Sequence, residues 1–472
     1  MIQILINKRM WLFTRLFTCL FIGSFAFVLM CYSQPVFAYQ SYLIKNVQIL
    51  SFSQGKFLAP TNVLVTDGKI KAIQDNISQR DAVEIDGTGQ YLIPGFTEMH
   101  AHVPPHEISA ADVQDLFFLY NAYGITTIRG MLGHPSHLEL REQLANNQID
   151  GPRLITSGPS FNGNTVTSKA QAISMVETQK EQGYDFIKIH PGLSTQAFQA
   201  MASTATKQQF PFAGHVSASV GVIASINAGQ ASVDHLDGVM EELAQRSGYQ
   251  FSGDTGFFGA ALVAGIDEKQ IEPLAAELAQ TSVAMVPTET LMYGFLSWQN
   301  AAVSAQKDVI KLMPENVVAQ WQETRTSMQQ SDWYSTANIQ KLLKIRRTFI
   351  QAFVEHHGIV LIGSDAPQVF NVPGDSLHEE MHLMKQAGMT PMQVLYAATL
   401  GPAKYFNKEQ EFGEIAVGRS ADMILLKKNP LNDITYTRSI AGVMTRGNWL
   451  SERVIEGTLK EIKQKNQERV KQ

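Results

Sequence analysis

The run Tyr91-Leu92-Ile93-Pro94-Gly95-Phe96-Thr97-Glu98-Met99-His100-Ala101-His102 is apolar for most of its length and ends in two histidines spaced by two. Side chains of an extended strand alternate with period two, so His100 and His102 project from the same side and can grip one ion together. The run is the first of eight short apolar stretches separated by longer helical patterns. They span Tyr91 to His100, Ile125 to Arg129, Arg153 to Ser157, Asp185 to His190, Phe210 to His215, Ser232 to His235, Ser282 to Pro287 and Ile359 to Asp365. Eight such units in series over roughly 300 residues predict an α/β fold of the (β/α)₈ TIM-barrel type. An open doubly wound sheet is the alternative, but it needs a Gly-rich phosphate turn after an early strand, and the sequence offers none.

Outward from this central series the texture changes. Leu43 to Ile49, Asn62 to Val65 and Lys69 to Ile73 are short and strand-like, with Asp67-Gly68 as a hairpin turn. Similar runs return at Ala421 to Leu426 and Ile440 to Gly447. Each end alone has too few strands to bury a core, so residues 39–92 and 408–460 are expected to form one small β-sandwich domain beside a barrel of residues 93–407. Two long intervals, Leu236 to Thr281 and Thr288 to Gly358, follow the sixth and seventh strands. They are candidates for a lid or pocket wall, because loops after strands lie on the catalytic face of a barrel. Aromatics in the second interval, including Tyr293, Trp298, Trp321, Trp333 and Tyr334, serve equally well as ordinary helix packing.

The strand ends carry the chemistry. His100 and His102 close the first strand, Lys188 and His190 the fourth, His215 the fifth, His235 the sixth and Asp365 the eighth. A lone histidine is more often a hydrogen-bonded structural residue, but this many at successive strand ends, with an aspartate, point to a metal site. Arg129 ends the second strand and His378 lies just beyond Asp365; with His190 they are candidate substrate-binding groups. His106, His134, His137, His356 and His357 read as structural or surface residues.

The first-strand run, with Ala213-Gly214-His215, Val233-Asp234-His235, Gly363-Ser364-Asp365-Ala366 and the tail Gly413 to Met423, resembles the motifs of the amidohydrolase superfamily, over nearly the whole chain after Tyr39. Within it the sequence looks like the imidazolonepropionase-like and prolidase-like branch, and Phe186-Ile187-Lys188-Ile189 is the deciding feature. The resemblance implies a metal-dependent hydrolase with two divalent ions, zinc by default. His100, His102 and Asp365 would bind one, His215 and His235 the other, and Lys188, carboxylated by CO₂, would bridge both. A protonated lysine is a cation and cannot bind a metal; its carbamate is an anion and can. Asp365 would act as general base and acid in cleaving a C–N bond of a small amide, such as a dipeptide or N-acyl amino acid. A lactonase, phosphotriesterase or deaminase on the same scaffold, or a non-catalytic binding protein, are the competing readings. Glu98 departs from the aspartate that is frequent before the histidine pair, and its longer side chain would alter a contact behind the metal ligands.

A net charge of −5 and pI near 6.2 exclude a basic surface of the kind that neutralises nucleic acid. Lys8, Arg9 and Arg15, the apolar stretch Leu16 to Cys31, and Val36 and Ala38 before Tyr39 have the order of a secretory signal over residues 1–38. An uncleaved anchor and a lipoprotein route through Cys31 are weaker alternatives. Both cysteines, Cys19 and Cys31, lie in this segment, so a mature chain from Tyr39 has no thiol, which suits an exported protein of a bacterial periplasm or the extracellular space. No membrane contact is expected after cleavage, and a homo-oligomer is compatible with the sequence.

Overall fold

The run Tyr91 to His100, expected as one strand, is two. In the computed structural model, which describes residues 40–105 and 110–469, Tyr91–Pro94 pairs with Met423–Leu426 and with Tyr42–Ser51, whereas Phe96–Ala101 pairs with Ile125–Gly130. Gly95 is the joint. A Cβ there would sit 2.1 Å from Thr126 Oγ1, so only glycine lets the chain pass from one sheet to the next at this spacing. The segment 1–38 and His106 lie outside the described residues.

Eight short parallel strands follow. Phe96–Ala101, Ile125–Gly130 and Arg153–Thr156 form one sheet; Ile187–Ile189, Phe212–Gly214, Ser232–Asp234, Ala284–Val286 and Ile359–Val360 form another. Backbone bridges join the two sheets at both seams. Ser157 pairs with Phe186 on one side, and on the other Met99 donates to the Ile362 carbonyl and Asp365 to that of His100. Helices lie between successive strands, giving a mixed α/β fold around a curled sheet. The largest cluster of buried side chains joins this sheet to its helices, as Ile128, Val233, Met285, Leu342, Phe349 and Leu377 illustrate. Burial of such side chains is the main favourable term of folding.

The two chain ends meet in a sheet of nine strands ordered 448–451, 440–445, 423–426, 91–94, 42–51, 61–66, 69–74, with Lys56–Phe57 and Val83–Asp86 also paired to Tyr42–Ser51. A bulge at Asn46, whose φ is +55°, divides Tyr42–Ser51. Its first part pairs with Thr61–Thr66 and its second with Tyr91–Pro94, so one strand serves both halves. The expected sandwich is visible only in part, as this bent sheet over Ile44, Val63, Leu92, Met423 and Met444. A terminal helix, Glu452–Arg469, follows the last strand. No helix among the described residues is long and apolar enough to cross a membrane.

Candidate metal centre

At the C-terminal ends of the parallel strands six side chains come together. His100 Nε2 lies 3.5 Å from Lys188 Nζ and 3.6 Å from Asp365 Oδ1, and His102 Nε2 lies 2.6 Å from the same oxygen. The ring of His235 is 4.5 Å from that of His100 and 4.6 Å from that of His215. One potential ligand atom from each of His100, His235 and Asp365 lies within 4.8 Å of the others, so the tightest trio crosses the division between two ions that the resemblance implies.

In each of three rings Nδ1 faces a polar side chain. His215 Nδ1 is 3.0 Å from Asp237 Oδ2, and a carboxylate only accepts, so the nitrogen facing it carries the proton. His100 Nδ1 lies 2.7 Å from Asp234 Oδ2, off the line of an ideal hydrogen bond but too close to an anion for a lone pair. His235 Nδ1 is 2.7 Å from Thr288 Oγ1, whose own proton goes to the Pro287 carbonyl. At His215 and His235 Nδ1 is therefore the donor, and Nε2 keeps a lone pair of the kind a metal needs. Burial first, and then neighbouring cations, push His100 and His235 well below the usual histidine range, so both stay neutral.

The backbone at these positions is strained and pinned. His235, Thr288 and Asp365 have φ of +64°, +51° and +64°, a region costly for non-glycine residues and concentrated at functional sites. Arg346, fully buried, donates to the carbonyls of His235 and Pro287 and to Glu289. Glu98 accepts from the His100 and Ser364 amides, each at 2.8 Å, and from the Ser364 hydroxyl. Its length lets it tie the first strand to the eighth behind the ligands; burial pushes its pKa up to about 7, against the Ser364 hydrogen bonds. Gly214, with φ of +120°, leaves room for the Lys188 stem, which a Cβ would meet at 2.8 Å. Burial, opposed by Asp234 and Asp365, lowers Lys188 to about 8.

The donor set fits a divalent cation. Asp365 Oδ1 is buried and makes no well-aligned hydrogen bond, although ring nitrogens of His102 and His100 stand 2.6 and 3.6 Å from it. An anionic oxygen left so is costly unless a cation joins it.

Two sequence expectations fail. Arg129 does not face the rim: its guanidinium is completely buried, held by both oxygens of Asp234 at 2.9 and 3.1 Å, Ser232, Tyr405 and the Met99 carbonyl. It has no free edge for a substrate. Burial pushes Asp234 up, but Arg129 and then Lys188 override it and hold its pKa below the ordinary value. His378 is likewise occupied, between Thr437 Oγ1 and the Tyr123 carbonyl, because it turns into the helix side of the fold. His190 stays at the rim, with its ring stacked 5.0 Å from His215 and Nδ1 2.8 Å from Ser160 Oγ. His134 bonds Ser136 and His356 pairs with Glu272, away from the cluster.

Sequence reasoning gave no role to Asp237, Thr288 or Phe258. The Leu236 to Thr281 interval brings Phe258 over His235 and His215, with ring separations of 5.1 and 6.1 Å. Phe257 stacks 4.8 Å from Phe295 of the following interval, so the two insertions brace each other. At the opposite, N-terminal ends of the strands a cavity of about 1140 Å³ opens beside Tyr396, Tyr405 and His357. It lies on the far side from the cluster.

Residues 91–450 match the model of the Amidohydrolase family, and the chain belongs to that family. Short stretches resemble dihydroorotases: 47% identity over 45 residues with that of Thermoanaerobacter sp. (strain X514), and 40% over 62 residues with that of Listeria monocytogenes serovar 1/2a (strain ATCC BAA-679 / EGD-e). These matches cover 10% and 13% of this chain, and 10% and 14% of those proteins. Among solved structures, bottromycin amidohydrolase is 20% identical, with a TM-score of 0.72, 90% of each chain being covered. A Xaa-Pro dipeptidase with bound methionine in the active site is 17% identical, TM-score 0.61, covering 87% of this chain and 100% of that one. A prolidase complexed with N-methylphosphonate-L-proline is 18% identical, TM-score 0.61, with the same coverage. At these identities they share the fold.

Proposed function

Starting from membership of the amidohydrolase family, we propose that this protein is an exported metal-dependent hydrolase that cleaves a C–N bond in a small amide bearing a free carboxylate. A dipeptide with C-terminal proline or an N-acyl amino acid is the expected substrate, in keeping with the prolidase and dipeptidase among the structural neighbours. The observation that carries the reading is the set of three histidines whose Nδ1 atoms face Asp234, Asp237 and Thr288, beside a buried Asp365 oxygen without an aligned hydrogen bond. We read the eight strands as one closed (β/α)₈ barrel of residues 93–407, with residues 39–92 and 408–460 as its smaller companion and residues 1–38 as a secretory signal.

Two divalent ions, zinc by default, would be held by His100, His102, His215, His235, Asp365 and carboxylated Lys188. When bound, such ions make a water acidic and polarise a carbonyl. Asp365 takes the proton of the attacking water and passes it to the leaving nitrogen, which departs as a neutral amine. Asp234 and Asp237 keep His100 and His215 in the ligating tautomer, Glu98 fixes the spacing of the first and eighth strands, and Phe258 shields the rings from solvent. Hydrolysis rates of a dipeptide library, compared with those of the same peptides amidated at the C-terminus, test the substrate class. Equal rates on both sets would remove the carboxylate requirement. Faster turnover of lactones, phosphotriesters or deaminase substrates than of any amide would move the protein to another reaction.

A further inference from the structure

Arg325, on the helix Glu315–Gln329, is 2% exposed. Its Nε donates to the Gly294 carbonyl at 2.7 Å and its Nη1 to Ser304 Oγ at 2.6 Å. The guanidinium carbon lies 3.9 Å from the centre of the Phe370 ring. Among the described residues no carboxylate comes within 4.0 Å of it, and Nη2 makes no hydrogen bond. Burial without an anion lowers its pKa to about 10. A buried charge is normally paired, because leaving water unpaired is expensive. This one instead lines a cavity of about 400 Å³. Asp375, Glu379 and Lys307 also border that cavity, but Asp375 is paired with Arg438 and Glu379 is exposed. Tyr293, Trp298 and Phe370 supply apolar wall. Thr290 and Asn371, both lining residues, donate to the Ser364 carbonyl, so the cavity adjoins the segment that carries Asp365.

We propose that this cavity binds a small monocarboxylate with an apolar body, Arg325 offering the free N–H groups of Nη1 and Nη2 to its two oxygens and the aromatic wall taking the rest. A guanidinium fork matches a carboxylate through two parallel hydrogen bonds. The site stands apart from the metal reading, because its donors belong to the insertion after the seventh strand and not to the strand-end cluster.

Isothermal titration calorimetry of the full-length protein with cyclopentanecarboxylate and with cyclopentylmethanol tests this, since neither compound can be hydrolysed and they differ mainly in the anionic group. The acid should bind about 10- to 100-fold more tightly, the range of hydrogen bonds to a charged group. Arg325→Met should abolish the preference. Arg325→Lys, which keeps the charge but not the fork and guards against a misfolded Met variant, should reduce it ~5-fold or more. Equal binding of the two compounds, or a preference unchanged in the variants, would overturn the site. So would a preference lost when chelation strips the metal with Arg325 intact, because the carboxylate would then be bound at the metal centre. The source of the carboxylate is read from competition. If it is the substrate's own terminus, cyclopentanecarboxylate raises KM for amide hydrolysis in wild type but not in Arg325→Met; if it is a separate small acid, the compound binds without raising KM.

Discussion

Arg129 and Arg325 are two buried guanidinium groups in two regions of one fold, and they are built in opposite ways. Arg129, at the strand ends, has both Asp234 oxygens, two hydroxyls and a carbonyl around it. Arg325, in the insertion after the seventh strand, has a carbonyl, a hydroxyl and a ring face, but no anion among the described residues. A saturated guanidinium positions its neighbours; an unsaturated one is available to a ligand. The sequence pointed to a ligand role for Arg129, which ends a strand, and singled out nothing at Arg325.

The contrast can be broken most directly by stability. Arg129→Met leaves Asp234 as a buried carboxylate without its cation, and should cost about 3–5 kcal/mol. Arg325→Met removes a charge that has no partner, so the lost hydrogen bonds and the relieved burial offset one another, and the change should stay within about 1 kcal/mol. Urea denaturation of both variants decides; similar losses would mean that the two arginines are not built differently.

Next in size is the chemistry of the strand-end region. Asp365→Asn keeps shape but loses the proton acceptor, and turnover on the best amide substrate should fall by ~10²-fold or more with metal still bound. A near wild-type rate in that variant would end the role given to Asp365. A smaller effect sharpens the picture of a saturated, positioning region. Asp237→Ala frees the His215 ring without touching its Nε2, and should weaken metal affinity by about 10- to 100-fold in a chelator competition. Unchanged affinity would show that Asp237 does not orient the ligand.

These effects explain what the sequence revealed and what it hid. The eight strand runs were legible because apolar stretches alternate with helical patterns, and the residues at their ends converge whatever the loops do. The split at Gly95 was not, because Leu92-Ile93-Pro94-Gly95-Phe96 is continuously apolar and the change of partner depends on Thr126 and Asp422, far along the chain. His100, His102, Lys188, His215, His235 and Asp365 were visible as ligand types at strand ends. The partners behind them were not, since Asp234, Asp237 and Thr288 acquire their roles only when neighbouring strands pack. One signal was present: Ser232 and Asp234 share a face by period two, and that face meets Arg129. Phe258 lies in an insertion with no periodic pattern to aim it. Arg325 had no mark at all, because the absence of a counter-charge is a property of packing.

The strand-end cluster, as proposed above, is a divalent metal centre. Plasma emission spectrometry on the purified protein, before and after dialysis against a chelator, addresses it with activity measured alongside. About two equivalents of transition metal per chain are expected, lost together with hydrolysis on chelation and restored together on readdition, and content close to zero in a His100→Ala, His235→Ala double variant that remains folded. Undiminished hydrolysis by protein from which the metal has been removed, or wild-type metal content in the double variant, would contradict it.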